Sequence, residues 1–564
     1  MRRAFLLTLF IGKKLKHETL IINAATIACI TFFITACGGG NGGSSTKEVK
    51  HFLDAVKLGG DTTDMDFSNS GHAFSTPSKN LSANDLDKHL SGDVAFEQAF
   101  ITAPNVSFPN NDGAGPVFND NNCNACHQRD GRANLPLLST LQKDDSSAYY
   151  KLGNAGLFLR ISIESEAINS APKSEANCWG APVAVPNFSD QLFHRSVAGF
   201  IRNGAGIGQA DVWMKYKTHN ITYPDGKTVQ LSKPIFVIDN PYDAPDNPNM
   251  YNAQGHGSSR LFQSDVRIGP RIGLPVFGLG LIGAIKDDDI LALADPTDSD
   301  GDGISGRPNW VCDKEKYDKC KKKGNCESNP PISLGKYGWK ANTPTVAHQG
   351  LGALQGDMGV TNPLFPKESI AGTDLMAQYK KANPAYAAYK ETKEGKIEAN
   401  MKFSKDVVFY TETLHVPGRR NIDNPSVRKG GKLFESIGCV KCHTPSYVTG
   451  KETSFSTGGK HIKSVENQVI YPFSDMLLHD MGPGLADGRK DFDANGNEWK
   501  TRQLWGIGLT KRVNPGAGFL HDGRARTLEE AILWHGGESE GIKNNFMQLN
   551  EENRQDVINF LNSL

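Results

Sequence analysis

Two pentapeptides constrain this chain more than anything else in its 564 residues: Cys123-Asn-Ala-Cys126-His127 and Cys439-Val-Lys-Cys442-His443. A shared frame precedes them. Gly115-Pro-Val-Phe118 and Gly431-Lys-Leu-Phe434 are each followed by four residues and then the first cysteine, so G-x-x-F-x4-C-x-x-C-H occurs twice and reads as a repeated small module. Two thiols three positions apart with a histidine directly after them suit covalent attachment of a c-type haem. The sulfurs add across the two vinyl groups, and the imidazole meets the iron from one side. Thioredoxin-like or zinc-binding pairs are the competing reading, disfavoured because both pairs carry the following His and the chain reads as exported. Each module is thus expected to close around a flat apolar plate, with Cys123, Cys126 and His127 holding one haem c and Cys439, Cys442 and His443 the other.

The N-terminus reads as an address. Arg2, Arg3, Lys13, Lys14 and Lys16 precede an apolar run from Leu20 to Ile34, which ends in Ile34-Thr-Ala-Cys37. This has the form of a bacterial lipobox, so residues 1–36 are expected to be a lipoprotein signal peptide and Cys37 the lipidated residue. A transmembrane anchor is the competing reading, but the run is short for a span. Gly38, rather than Asp, at the next position points to the outer membrane. The expected location is the periplasmic side of a bacterial membrane, lipid-anchored, where c-type haem is attached and disulfides survive. Cys178, Cys312, Cys320 and Cys326 then remain, an even number that permits two disulfides of open pairing, with free thiols or a metal site as alternatives. Lys+Arg and Asp+Glu balance at 62 each, so no nucleic-acid partner is implied. No second transmembrane stretch follows.

Residues 37–90 begin with the Gly/Ser-rich Gly38–Thr46 and are expected to be a flexible tether. Val94, Phe96 and Phe100 suggest an amphipathic helix before the first haem motif, and Val557, Phe560, Leu561 and Leu564 a closing helix after the second. Between them, Leu157–Ile163 and Pro234–Ile238 suggest strands, and Tyr223-Pro-Asp-Gly226 a turn entering another. The expected fold is mainly α: two cytochrome c-like haem domains with a large mixed, loop-rich insertion carrying some β-strands. The first domain would comprise residues 91–149 plus 336–420, the insertion 150–335, and the second domain 421–564.

Thr527-Leu-Glu-Glu530 has the form of a capping box, so a helix is expected from there through His535 to Gly536-Gly537. Leu528, Ile532 and His535 share one face, which makes His535 the candidate sixth ligand of the second haem. His479 and Met481 compete for that position. With His443, His535 would form a bis-imidazole centre of lower potential than a Met/His one.

At this point the sequence resembles a known family. His521-Asp-Gly-Arg524 with Thr527–Ala531 resembles the C-terminal haem module of bacterial di-haem cytochrome c peroxidases and of the di-haem enzymes that mature methylamine dehydrogenase. At the position of His535 the peroxidases carry a Met ligand and the maturation enzymes a Tyr. Closer still is the di-haem oxidoreductase family, whose members carry the labels peroxidase and "thiol oxidoreductase". Its stretches recur as Leu293–Pro296, Asp300–Gly306, Tyr337–Ala341, Asp475–Gly482, Leu504–Gly508 and His521–Gly537. The resemblance covers roughly residues 90–564.

The resemblance implies Trp339 as the bridge for electrons between the haems, Gln349 ten residues on as a hydrogen-bonding group beside the first haem, and Asp357 as its acid–base group. Asp357 replaces a Glu of the peroxidases, its spacing from Gln349 is eight rather than ten, and about 200 inserted residues between His127 and Trp339 have no counterpart there. The implied activity is reduction of hydrogen peroxide at the first haem with electrons from a small periplasmic donor, a cytochrome c or a cupredoxin. A homodimer is compatible with it. Two alternatives stand: an electron-transfer cytochrome without catalysis, and a di-haem enzyme oxidising a protein or a metal complex. No residue argues for thiol oxidation.

Finally, Asp298-Ser-Asp300-Gly-Asp302-Gly303 fits the opening of a calcium loop, though its twelfth position is Asn309 rather than Glu. One calcium ion at Asp298, Asp300 and Asp302 is expected, against a solvated acidic turn. Asp491-Phe-Asp493-Ala-Asn495-Gly496 is a weaker match and reads as an Asn-Gly turn.

Overall fold

Apolar residues in this chain recur with both helical and strand periods, and the computed structural model uses both. It describes residues 48–564 apart from 106, 109–110, 134–149, 153–155, 165–180, 198–207, 244–248, 251–258 and 327–330. Helix accounts for 35% and strand for 18%, the strands lying in many small sheets. This corrects the expected mainly α, cytochrome c-like organisation. Val, Ile and Phe at alternating positions favour paired strands, and frequent Gly and Pro keep the helices short.

In chain order the elements that build the site are α1 (Ala83–Glu97), α2 (Cys123–Cys126), β1 (Leu157–Ile163), β2 (Gln191–Leu192), β3 (Asp211–Thr222), β4 (Thr228–Asp239), β5 (Val266–Ile272), α3 (Val346–Met358), α4 (Met401–Thr413), α5 (Pro425–Ser436), β6 (Leu478–Asp480), β7 (Glu498–Lys500), α6 (Leu528–Leu533) and α7 (Glu551–Ser563). They belong to one compact unit, Lys47–Leu564.

β3 and β4 form a long antiparallel hairpin, from Asp211↔Asp239 to Thr222↔Thr228. It closes at Tyr223-Pro-Asp-Gly226, where Gly226 adopts φ +88 and donates its N–H to Tyr223 O at 2.9 Å. β1 is the middle strand of a three-stranded antiparallel sheet ordered β5-β1-β2, with Ile272 opposite Leu157 and Arg160 paired to both Gly269 and Gln191. Leu157, Leu159 and Ile161 bury one face of β1, which sends Arg160 to the other.

The repeated G-x-x-F frame folds in two different ways. Gly431 and Phe434 lie in α5, which crosses α7 so closely that a Cβ on Gly430 would come within 1.8 Å of Asp556 O, and the Phe434 and Phe560 rings meet at a tilt, 5.1 Å between centroids. Gly115–Phe118 is extended instead. Pro116 is incompatible with a helix interior, and Gly115 adopts φ +100 where its N–H reaches Met358 O at the end of α3. The repeat in sequence is therefore not a repeat in structure.

Two local expectations also change. The stretch read as a mobile tether is packed from Phe52 onward: Phe52, Leu53, Leu58 and Phe74 are buried, and the Phe52 ring meets Phe473 and Phe560 edge-on. A few well-placed apolar residues suffice to anchor a polar segment. In α1 Phe96 is buried, but Val94 is 72% exposed, and Phe100 lies beyond the helix end. α7 carries Val557, Phe560 and Leu561 inward as expected. Cys320 pairs with Cys326 and Cys312 is disulfide-bonded, while Cys178 and Cys37 lie outside the described residues. No helix among the described residues is long and apolar enough to cross a membrane.

Candidate functional site

A cavity of about 1370 Å³ including its mouth opens among α5, β7, α6 and α7. Cys439, Cys442, His443 and His535 all line it. Both thiols are free of disulfides. His443 Nδ1 donates to Phe473 O at 2.9 Å, which fixes the tautomer and leaves Nε2 for a metal. His535 repeats the arrangement, with Nδ1 donating to Ala531 O at 2.8 Å. It stands just beyond α6, which ends at Leu533 rather than running on to Gly536, yet Leu528, Ile532 and His535 still face the same cavity. Thr527 caps α6 by accepting the Glu530 N–H, whereas the Glu530 carboxylate turns to the Arg526 N–H, so only half of the capping box forms.

His479, a competitor for the sixth ligand, has both ring nitrogens engaged: Nε2 with Asp475 at 2.8 Å and Nδ1 with Glu538 at 2.9 Å. Those carboxylates outweigh burial and hold its pKa well above the usual imidazole range. Met481 lines the cavity as well.

Three cations face the same space. Lys500 is buried, and its Nζ donates to Lys336 O at 2.6 Å. Arg132 Nη1 and Arg502 Nε are buried without a hydrogen-bond partner. No carboxylate among the described residues pairs with any of the three, and burial pushes Arg132 down to about 10, Arg502 down to about 9 and Lys500 well below its ordinary value. A predominantly apolar chamber with two thiols, imidazole nitrogens free to ligate and unneutralised buried cations fits a haem, whose ring is apolar and whose propionates are anionic.

The first motif is built against the inserted sheet. Asn122 caps α2 by accepting the Ala125 N–H, and His127 Nδ1 donates to Leu274 O at 2.6 Å, again leaving Nε2 for a metal. Gly273 lets this strand press on the motif: a Cβ there would fall 2.7 Å from Cys126 O and 3.4 Å from His127 Cε1. The three residues 272–274 tie several parts together. Ile272 O accepts the Trp339 indole N–H at 2.9 Å, Gly273 O accepts the Ala133 N–H, and Leu274 O holds His127. Trp339, 8% exposed, also lines the cavity of the second motif, with Arg132 and Arg502 over its ring. It is thus one hydrogen bond from the segment 272–274 that orients His127.

Asp357 ends α3. Its backbone carbonyl accepts the Asn119 N–H at 2.7 Å, and its charge reaches the Cys123 and Cys126 thiols and helps to raise them. Its Oδ1 accepts from Arg160 Nη2 at 3.3 Å and Gln191 Nε2 at 2.8 Å. Burial raises its pKa above the carboxylate norm, and Arg160 and Gln191 oppose the rise. Gln349 does not join it. Eight residues along α3 separate the two by about 12 Å of rise, and Gln349 Oε1 accepts instead from Thr343 Oγ1.

The acidic loop does not close as an EF-hand would. Asp298 accepts the Gly303 N–H, Asp300 accepts the Asp302 N–H, and Asp302 Oδ2 pairs with Lys441 inside the second haem motif at 3.0 Å. Carboxylate oxygens of Asp295, Asp298 and Asp300 converge within 4.8 Å. Asn309 is buried elsewhere, bonded to Lys340 O and the Asp493 N–H. Asp491 and Ala494 exchange backbone hydrogen bonds, so the turn falls at Phe492-Asp493 rather than at the expected Asn495-Gly496.

The sequence reading missed Arg132, Lys500, Arg502, Arg160 and Gln191. Arg160 carried the one local signal, a charge within the apolar run Leu-Phe-Leu-Arg-Ile-Ser-Ile.

Two Cys-x-x-Cys-His segments, each with its histidine Nδ1 held by a backbone carbonyl, suit an oxidoreductase with two redox centres. Residues 52–564 match the family model described as "Di-haem oxidoreductase, putative peroxidase". The chain belongs to this di-haem oxidoreductase family. A search of the curated proteins finds no match.

Proposed function

We propose that this oxidoreductase reduces hydrogen peroxide to water at the haem held by Cys123, Cys126 and His127, using electrons from a small periplasmic donor. Cys439, Cys442, His443 and His535 would hold the second haem, and the two haems would supply iron redox chemistry and stored electrons. The observation that carries the reading is Asp357, a largely buried carboxylate beside the first pair of thiols with one oxygen held and the other available. Asp357 takes the proton from the near peroxide oxygen and delivers it to the far one, which leaves as water. His127, oriented by Leu274 O, presents Nε2, and Trp339 bridges the two motifs. Residues 1–36 as a signal peptide and Cys37 as the lipidated residue belong to the same proposal, since they deliver the chain to the compartment where such a haem is attached.

Asp357→Asn tests it. Peroxide turnover is expected to fall about 10²–10⁴-fold while the absorption spectra of both haems stay as in the parent. Unchanged turnover would remove Asp357 from the proton path and leave the chain better described as an electron carrier.

A further inference from the structure

We propose that Arg160 and Gln191, both carried by the inserted sheet, are positioning residues that keep Asp357 ionised and reserve its Oδ2 as the proton acceptor. This rests on the acid–base role given to Asp357 above, and it assigns a task to the insertion.

Both hydrogen bonds to the Asp357 carboxylate land on one oxygen. Arg160 Nη2 and Gln191 Nε2 reach Oδ1, and Oδ2 receives no hydrogen bond among the described residues. A carboxylate held in this way has one oxygen fixed as an anchor and one left for exchange of a proton.

The anchors are themselves built in. Arg160 and Gln191 face each other across the β1–β2 pairing, so the sheet register sets their separation. Gln191 is fully buried, and its Nε2 also approaches Gly356 O at 3.4 Å. Two acceptors, a carboxylate and a carbonyl, determine which end of the amide carries the N–H groups. Gln191 Oε1 is left buried and without a donor, a cost the fold accepts in order to keep Nε2 on Asp357.

The charges facing Asp357 are few. Arg160 is the cation, placed 3.9 Å from Asp190 Oδ2 as well, and Asp190 is the opposing anion. The Cys123 and Cys126 thiols carry no charge once joined to haem, and the ion pair of Asp120 with Arg195 lies beside the same Cys126 thiol. Arg160 therefore opposes the rise that burial imposes on the carboxyl and favours its charged form. A neutral acid could not take the first proton.

Arg160→Gln tests the inference on the haem-loaded enzyme, with two readouts. The acid limb of kcat/KM for peroxide against pH is expected to move upward by about one to three units. In infrared pH titration, the carboxyl C=O band that Asp357→Asn abolishes should protonate at correspondingly higher pH. Arg160→Lys should restore most of both. A loss of turnover at every pH with neither the limb nor the band moved would show Arg160 to be merely structural and overturn the proposal. If Arg160→Gln does not fold, Gln191→Leu replaces it: an upward shift of the band supports the inference, and an unmoved band refutes it. Should Asp357→Asn retain turnover, the acid–base role itself fails, and the infrared band still reports whether Arg160 and Gln191 govern the carboxyl.

Discussion

His535 lines the cavity of the second motif with its Nδ1 committed to Ala531 O. Replacing it should therefore change one haem only. In His535→Ala the low-spin signature of the haem at His443 is expected to disappear, to return on adding imidazole, and to leave the other haem unaltered; EPR and absorption spectra report both. An untouched spectrum would move the ligation to Met481, since His479 has both nitrogens taken by carboxylates. At this scale the sequence was most legible where chemistry imposes a fixed local spacing. The two haem motifs and the face shared by Leu528, Ile532 and His535 needed no tertiary information. Arg160 and Gln191 were not legible, because their contacts with Asp357 span 197 and 166 positions and a single chain carries no signal across such separations.

Among the elements, α4 shows how a buried acid holds a helix end. Glu412 near its C-terminus accepts from Ser454 Oγ at 2.5 Å and Ser456 Oγ at 2.6 Å. Burial pushes its pKa up to about 7 from 4.5, and the two hydroxyls only partly offset the rise. An acid raised in the folded state holds its proton where the unfolded chain has already lost it. Its stabilising effect is thus present below the unfolded pKa and drains away as pH climbs from about 4.5 to 7. Glu412→Gln is expected to remove that loss, leaving stability close to the parent at pH 4 and higher at pH 8 by roughly 3 kcal/mol at most. Thermal unfolding of parent and variant across that range checks it, and parallel pH curves would count against the assignment. Element types were partly legible: the β3–β4 turn and α7 follow from residue pattern alone. The different folding of the two G-x-x-F frames was only partly legible: Pro116 signals it, but what Gly115 and Gly431 press against does not show in the sequence.

For the molecule as a whole, the inserted region is the part whose role was least legible and whose position explains most. One three-stranded sheet and the strand end that leaves it supply Arg160 and Gln191 to Asp357, the Ile272 carbonyl to Trp339 and the Leu274 carbonyl to His127. The inserted region is thus more than an appendage, since it supplies four of the contacts that hold Asp357, Trp339 and His127 in place. The two haem motifs consequently become unequal: one faces a carboxylate with a free oxygen, the other a second histidine. EPR of the resting ferric protein, before and after hydrogen peroxide, tests that inequality most directly. The expected result is one high-spin haem that responds to peroxide beside one low-spin bis-histidine haem. Two low-spin signals, both indifferent to peroxide, would contradict it.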